Sequence, residues 1–300
     1  MTVGDGALCC AAMVPRRALS RRCVLALGAL AAVAAVEPHR AEAGELPGET
    51  VDYPWDGKAA GRPHLAWTGR AYVPPEAAEV GRPLPLVVFL HGLNAALIPH
   101  RWMGGGSEGD VRAIAGKLVT SGDVAPLVVA APSSVVKSQV AKGASWNHFD
   151  LDHFIDLTNA RLKGNVDIDE RRIVVVGHSG AGCSTAGGLA TVGASKRRLL
   201  AIVAIDTCMA PAIATTLARS DARTHVVVTY QRLGWTKRPF AAFERAFERA
   251  VEKHPPRDGI LRKLDELAPK TAPHDRCVPM TLERYLPKLL PAADEGKVSQ

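Results

Sequence analysis

The chain contains no apolar run long enough to cross a bilayer. Its uncharged apolar stretch near the N-terminus, Val24 to Val36, falls short of the ~20 residues a spanning helix needs. No basic cluster has aromatics interleaved in it, and the formal net charge of +7 is mild and scattered, so nucleic-acid binding is excluded. There is no internal repeat and no second set of apolar elements. No insertion between candidate strands is long enough to build a cap domain. Cysteine is scarce, 6 in 300 residues, and none follows the apolar stretch where a lipid-modified anchor would need one.

What the N-terminus does have is an ordered series. Ser20-Arg21-Arg22-Cys23-Val24-Leu25 leads into the apolar stretch, which ends near Ala41-Glu42-Ala43, a small-residue cleavage pattern. Basic, then apolar, then small is the layout of an export signal. The paired arginines resemble a twin-arginine signal, which implies bacterial export in an already folded state. The expectation is a cleaved signal over 1–43 and a single domain over 44–300, in the periplasm or outside the cell, with no stable membrane anchor. Cys183, Cys208 and Cys277 then remain, and export permits a disulfide. A Cys208–Cys277 bridge is expected if the loops after Asp206 and His274 meet in space. Three buried thiols is the alternative.

Apolar runs alternate with helix-compatible segments along the rest of the chain. Gly44 to Gly61 reads as an arm or loop, and His64 to Val73 as an outer antiparallel strand. Leu86–Leu90, Pro126–Pro132, Ile173–Val176, Leu199–Ile205 and His225–Tyr230 read as buried strands, with Leu261–Leu267 as an ambiguous last one. Helices are expected from Asp110, a capping residue, through Val119, and over Leu151–Leu162, Cys183–Ala190, Ala212–Arg219, Phe240–Lys253 and Thr281–Leu290. Phe243, Phe247 and Val251 mark one apolar stripe with charges between them. This alternation predicts an α/β fold with a mostly parallel sheet covered on both faces and no cap domain.

One strand ends unusually. Ile173-Val-Val-Val runs into Gly177-His-Ser179-Gly-Ala-Gly182. A β-branched strand meeting a small-residue turn with serine at its tip is the pattern of a nucleophile elbow, G-x-S-x-G, with Ala181 in the fifth place. Gly180 offers an N–H beside the serine. Ligands in open α/β sheets bind outside the carboxyl ends of the strands. Asp206 ends the strand after the elbow, and His274 follows the last strand. Ser179, Asp206, His274 is the chain order this kind of hydrolase uses.

These segments, together with Leu84-Pro-Leu-Val-Val-Phe-Leu-His91-Gly92, resemble the α/β-hydrolase superfamily. They are similar to compact, exported, cap-free serine esterases of the polyhydroxybutyrate depolymerase and feruloyl esterase-like group. The resemblance is concentrated between Tyr72 and Leu189. It implies an ester hydrolase without a cofactor, acting on a small-molecule or polymer ester; a serine peptidase or amidase acting on envelope peptides, and a catalytically silent binding protein of the same fold, are the alternatives. It also implies Ser179 as nucleophile, His274 as base, and the N–H groups of Leu93 and Gly180 as oxyanion hole. The acid is less fixed. Members of the family commonly place it one strand later, where this chain has Thr229-Tyr-Gln-Arg-Leu-Gly-Trp and no carboxylate. Asp206 is preferred over Asp258, Asp265 and Glu244. His225 and His254 compete less well with His274.

Trp102, Trp146 and Trp235 fall in loops after strands and are candidates for walling a substrate pocket, packing of the loops being the alternative. The run His148-Phe-Asp150-Leu-Asp152-His153 has metal-ligand residue types. The polar first turn of a helix accounts for the same residues, and no metal is assigned.

Overall fold

Valine, isoleucine and leucine dominate the central strands because both faces of the sheet are covered. In a computed structural model of the chain, residues 46–56, 66–134, 146–147, 149–235 and 237–292 are described, all within the unit Ala43–Gln300. The expected export signal lies outside the described residues. Among the described residues, no helix is long and apolar enough to cross a membrane.

Strands β1 (Glu49–Asp56), β2 (Ala66–Val73), β3 (Leu84–Leu90), β4 (Val128–Ser134), β5 (Ile168–His178), β6 (Ala201–Ile205), β7 (His225–Tyr230) and β8 (Arg262–Glu266) form an 8-stranded sheet in the order β1-β2-β4-β3-β5-β6-β7-β8. The pairs β1–β2 and β2–β4 are antiparallel and the other pairs parallel. The helices are α1 (Pro75–Ala78), α2 (Val111–Thr120), α3 (Leu151–Leu162), α4 (Leu189–Val192), α5 (Pro211–Ala218), α6 (Phe240–Lys253) and α7 (Pro273–Leu289).

The period of two along each strand divides the core. Leu86, Val88 and Leu90 of β3 pack on one side with Phe154 of α3, Leu217 of α5 and Phe243 of α6. Val87 and Phe89 face the other side, with Leu118 of α2 and Val278 and Leu282 of α7. Each such fully buried side chain contributes about 1.5–3 kcal/mol by leaving water. Asp110 caps α2 as expected, accepting from the Arg112 N–H at 2.9 Å.

Four expectations need correction. The segment expected as a loop before position 61 contains β1. Its Gly, Pro and acidic composition is tolerated because it is an edge strand, and it is anchored by Tyr53, whose buried hydroxyl lies 2.7 Å from Thr158 Oγ1. The helix expected over Cys183–Ala190 is replaced by a 3₁₀ turn, Ser179–Gly182, an irregular stretch, and the single turn of α4. Cys183 is held there by a disulfide to Cys208 with Cα atoms 5.0 Å apart, while Cys277 is free and buried. The expected Cys208–Cys277 pairing is therefore wrong. Cys277 points into the core beneath α7, among residues such as Val278 and Leu282. That helix starts at Pro273, eight positions before the expected Thr281 (281 − 273), and runs through Pro279 and Pro287. Burial of Cys277, Val278, Leu282, Tyr285 and Leu286 along one face outweighs the interior prolines.

Candidate active site

β5 is the central strand, and the chain leaves it abruptly. Ser179 has φ +53°, a left-handed conformation that a residue with a Cβ seldom adopts. Such strain, on the order of 1–3 kcal/mol, persists only where the surroundings enforce it. Here the loop after β3 encloses the serine. A Cβ on Gly92 would lie 2.7 Å from Ser179 Cβ and 3.1 Å from its Oγ, and one on Gly180 would lie 2.8 Å from the Leu93 amide nitrogen. Glycine at both places lets two backbones meet beside the hydroxyl. Ala181 is buried and outside the left-handed region, so alanine in the fifth position of the elbow introduces no strain.

The Leu93 and Gly180 amides are thus side by side next to Ser179. Among the described residues, neither N–H donates a hydrogen bond within the protein. Trp146 supports this loop from below, donating its indole N–H to the His91 carbonyl at 2.8 Å.

Asp206 follows β6, again left-handed at φ +44°, and is fully buried. Its Oδ2 accepts from His274 Nδ1 at 2.6 Å and from Gln231 Nε2 at 2.9 Å, and its Oδ1 from Arg238 Nη1 at 2.8 Å. The Trp235 indole lies 3.2 Å from Oδ2 and 3.3 Å from His274 Nδ1. An indole N–H only donates, and with the Nδ1 proton committed to the carboxylate, Asp206 is its acceptor. Burial alone would raise the Asp206 carboxyl. The hydrogen bonds from His274 and Gln231 and the nearby Arg238 charge outweigh it and hold the group below the usual carboxylate range.

His274 stands in the first turn of α7 and is part-exposed. Its ring packs on His178 with centroids 4.5 Å apart, and its carbonyl faces His178 Nε2 at 3.3 Å. Burial, reinforced by His274, pushes His178 down to about 3, so it is neutral at ordinary pH. Burial likewise pushes His91 down to about 4. Among the described residues, no hydrogen bond joins Ser179 Oγ to His274 Nε2.

Of the sequence candidates, Ser179, Leu93 and Gly180 come together, and Asp206 joins His274. The competing acids are engaged elsewhere. Asp265 pairs with Arg284 and Tyr285, and Glu244 with Tyr230 and Arg232. His225 accepts from Leu261 N at the opening end of β7, at the other end of the sheet. The expected tryptophan wall reduces to one residue. Trp102 and Trp146 are buried, Trp102 against Phe89 and edge-on to His178. Trp235 is 39 % exposed. Two post-strand loops fold inward over the sheet ends, which loop position in the sequence does not reveal.

The run around Asp150 forms no ligand set among the described residues. Asp150 caps α3, and Asp152 holds Ser195 and Arg197, while His148 lies outside them. His178, His274 and Asp275 approach one another within 4.8 Å. The two imidazole rings are tilted by 34° to each other, and His274 Nδ1 is already committed to Asp206.

Sequence reasoning missed Gln231, Arg238 and His178. The signal was present for two of them: the loop after β7 holds an amide and a cation and no carboxylate.

Neither a protein-family model nor a curated protein sequence matches the chain. Solved structures do. A ferulic acid esterase aligns with TM-score 0.55 at 12% identity, covering 82% of this chain and 98% of its own. S-formylglutathione hydrolase from Agrobacterium tumefaciens aligns with TM-score 0.52 at 16% identity, covering 82% and 97%. A serine-to-alanine mutant of the feruloyl esterase module from Clostridium thermocellum, complexed with sinapinate, aligns with TM-score 0.53 at 11% identity, covering 82% and 88%. The chain has the α/β-hydrolase fold of these proteins.

Proposed function

We propose that the protein is an exported serine hydrolase of carboxylic esters. The observation that carries this is the 2.6 Å bond from His274 to buried Asp206, at the same carboxyl end of the sheet as a left-handed serine flanked by two free amides. In this reading His274 Nε2 takes the Ser179 proton as Oγ attacks the ester carbonyl. The Leu93 and Gly180 N–H groups receive the oxyanion, each worth roughly 3–4 kcal/mol in comparable sites. His274 then protonates the leaving alcohol, and water repeats the sequence on the acyl-enzyme. Asp206 stays ionised throughout and stabilises the imidazolium. In this reading the Ser179–His274 hydrogen bond forms as the substrate complex assembles, as catalytic hydrogen bonds commonly do.

The names of the structural neighbours support the ester class. Leu93, Leu233 and Trp235 are exposed large apolar residues, and they offer surface to the apolar part of a small-molecule or polymer ester. The disulfide supports export, since such bonds persist in oxidising compartments. Short p-nitrophenyl acyl esters test the activity. Hydrolysis by the wild type, reduced by about 10⁴-fold or more in Ser179→Ala, is the expected result. A folded wild type that hydrolyses none would leave a binding protein built on a hydrolase fold.

A further inference from the structure

The loop between β7 and α6 carries no carboxylate, yet it closes around one. Asp206 is fully buried, and an ionised carboxylate there requires partners. Gln231 and Trp235 supply neutral donors to Oδ2, and Arg238 supplies the cation. One guanidinium nitrogen, Nη1, reaches Oδ1 at 2.8 Å and the Asp206 backbone carbonyl at 3.1 Å. Arg238 thereby grips side chain and backbone of a residue held at φ +44°. The guanidinium is kept in place by Trp235, whose ring centre lies 4.2 Å from its central carbon. The same tryptophan donates to Oδ2. Gln231 is fixed in turn, its Oε1 accepting from the Gly234 N–H at 2.8 Å.

We propose that Arg238 is a positioning residue for the Asp206–His274 couple, which turns Oδ2 toward His274 and, as a cation, offsets the Asp206 charge so that the resting imidazole does not hold a second proton. This rests on the serine hydrolase reading of the site. It assigns the β7–α6 loop a part in the reaction that places no group of that loop on the reacting atoms.

The charges facing the couple come from several elements. His178 at the end of β5 packs on His274 and is neutral. Asp275 and Cys277 follow on α7, and the Arg101–Glu108 pair acts from farther away. Arg238 is the cation bonded to Asp206. A charge at such distance moves a neighbouring titration by about one pH unit or more. With Arg238 gone, the couple keeps its proton to higher pH, so the acidic limb of the kcat/KM profile moves up in pH.

The test compares the wild type with Arg238→Met and Arg238→Lys, all checked for folding by circular dichroism. Two readouts are used: the low-field ¹H NMR resonance of the His274–Asp206 hydrogen bond in the resting protein, and kcat/KM against pH for a p-nitrophenyl acyl ester. In Arg238→Met the resonance should broaden or vanish. Its kcat should fall about 10- to 100-fold through misplacement of the couple, and its acidic limb should rise by about one unit. Arg238→Lys, which keeps the charge and loses the double grip, should lower kcat and leave the limb in place. A folded Arg238→Met with wild-type resonance and limb overturns the proposal. So does Arg238→Lys with its limb displaced as far as in Arg238→Met. If Arg238→Met fails to fold, Arg238→Lys decides alone: a lowered kcat with the wild-type limb supports the proposal, and a limb raised by about one unit overturns it. A wild type that shows the resonance, and loses it in Arg238→Met, yet hydrolyses no ester removes the hydrolase reading and leaves Arg238 as the holder of the couple.

Discussion

The disulfide fastens two parts of the candidate site to each other. Cys183 lies four positions after Ser179 (183 − 179) and Cys208 two after Asp206 (208 − 206), so one covalent link ties the turn at Ser179 to the loop after Asp206. Replacing both cysteines by alanine removes the link without leaving a reactive thiol. The bridged residues are 25 apart in sequence. In the chain-entropy account, a loop of that length constrains the unfolded state by about 3–4 kcal/mol. For a domain of this size each kcal/mol moves the thermal midpoint by roughly 2–4 °C, so calorimetry should show a fall of about 10 °C. Cys277→Ala, which trims a buried thiol with no covalent partner, should cost far less. Peptide mapping under non-reducing conditions should recover the Cys183–Cys208 peptide pair with Cys277 as a free thiol. A double variant melting within about 1 °C of the wild type, against the loop-closure estimate, would refute the reasoning. So would recovery of a Cys208–Cys277 pair.

Two further outcomes are expected. His91 and His178 are held at about 4 and about 3 by burial, below the ~6.5 of the unfolded chain. The unfolded state therefore binds more protons below that pH. The stability these histidines contribute is complete above pH ~6.5 and declines as pH falls, by about 2 kcal/mol each at pH 5. Urea midpoints at pH 7.5 and pH 5 read this directly, and unchanged midpoints would contradict it. Among the acids, Asp206→Asn should lower kcat by about 10⁴-fold by fixing the wrong imidazole tautomer. Asp265→Asn, which loses only Arg284 and Tyr285, should leave ester turnover near wild type, and the reverse ranking would move the acid elsewhere.

The sheet from β3 to β7 was legible because burial on both faces demands uninterrupted apolar runs, and β7 and α6 fall at the expected residues. The serine turn was legible because left-handed geometry and close backbone approach leave few residue choices. β1 was not, since an edge strand needs neither. The start of α7 was hidden by Pro273 and Pro279, whose local preferences packing overrides. The loop tryptophans were placed correctly along the chain, but whether a side chain turns outward or under the loop depends on what lies beneath. Trp146 turned under to reach the His91 carbonyl, 55 positions away. Arg238 stood in the sequence as a cation in a loop without a carboxylate, but the group it grips lies 32 positions away.

The central claim is that Ser179 is a nucleophile made reactive by its surroundings. Incubation of the protein, from position 44 onward, with a fluorophosphonate, followed by peptide mass spectrometry, tests it most directly. The account predicts a single covalent adduct on Ser179, absent in Ser179→Ala and formed much more slowly in His274→Ala. A folded wild type that takes up no probe, or takes it up at another residue, would contradict the account.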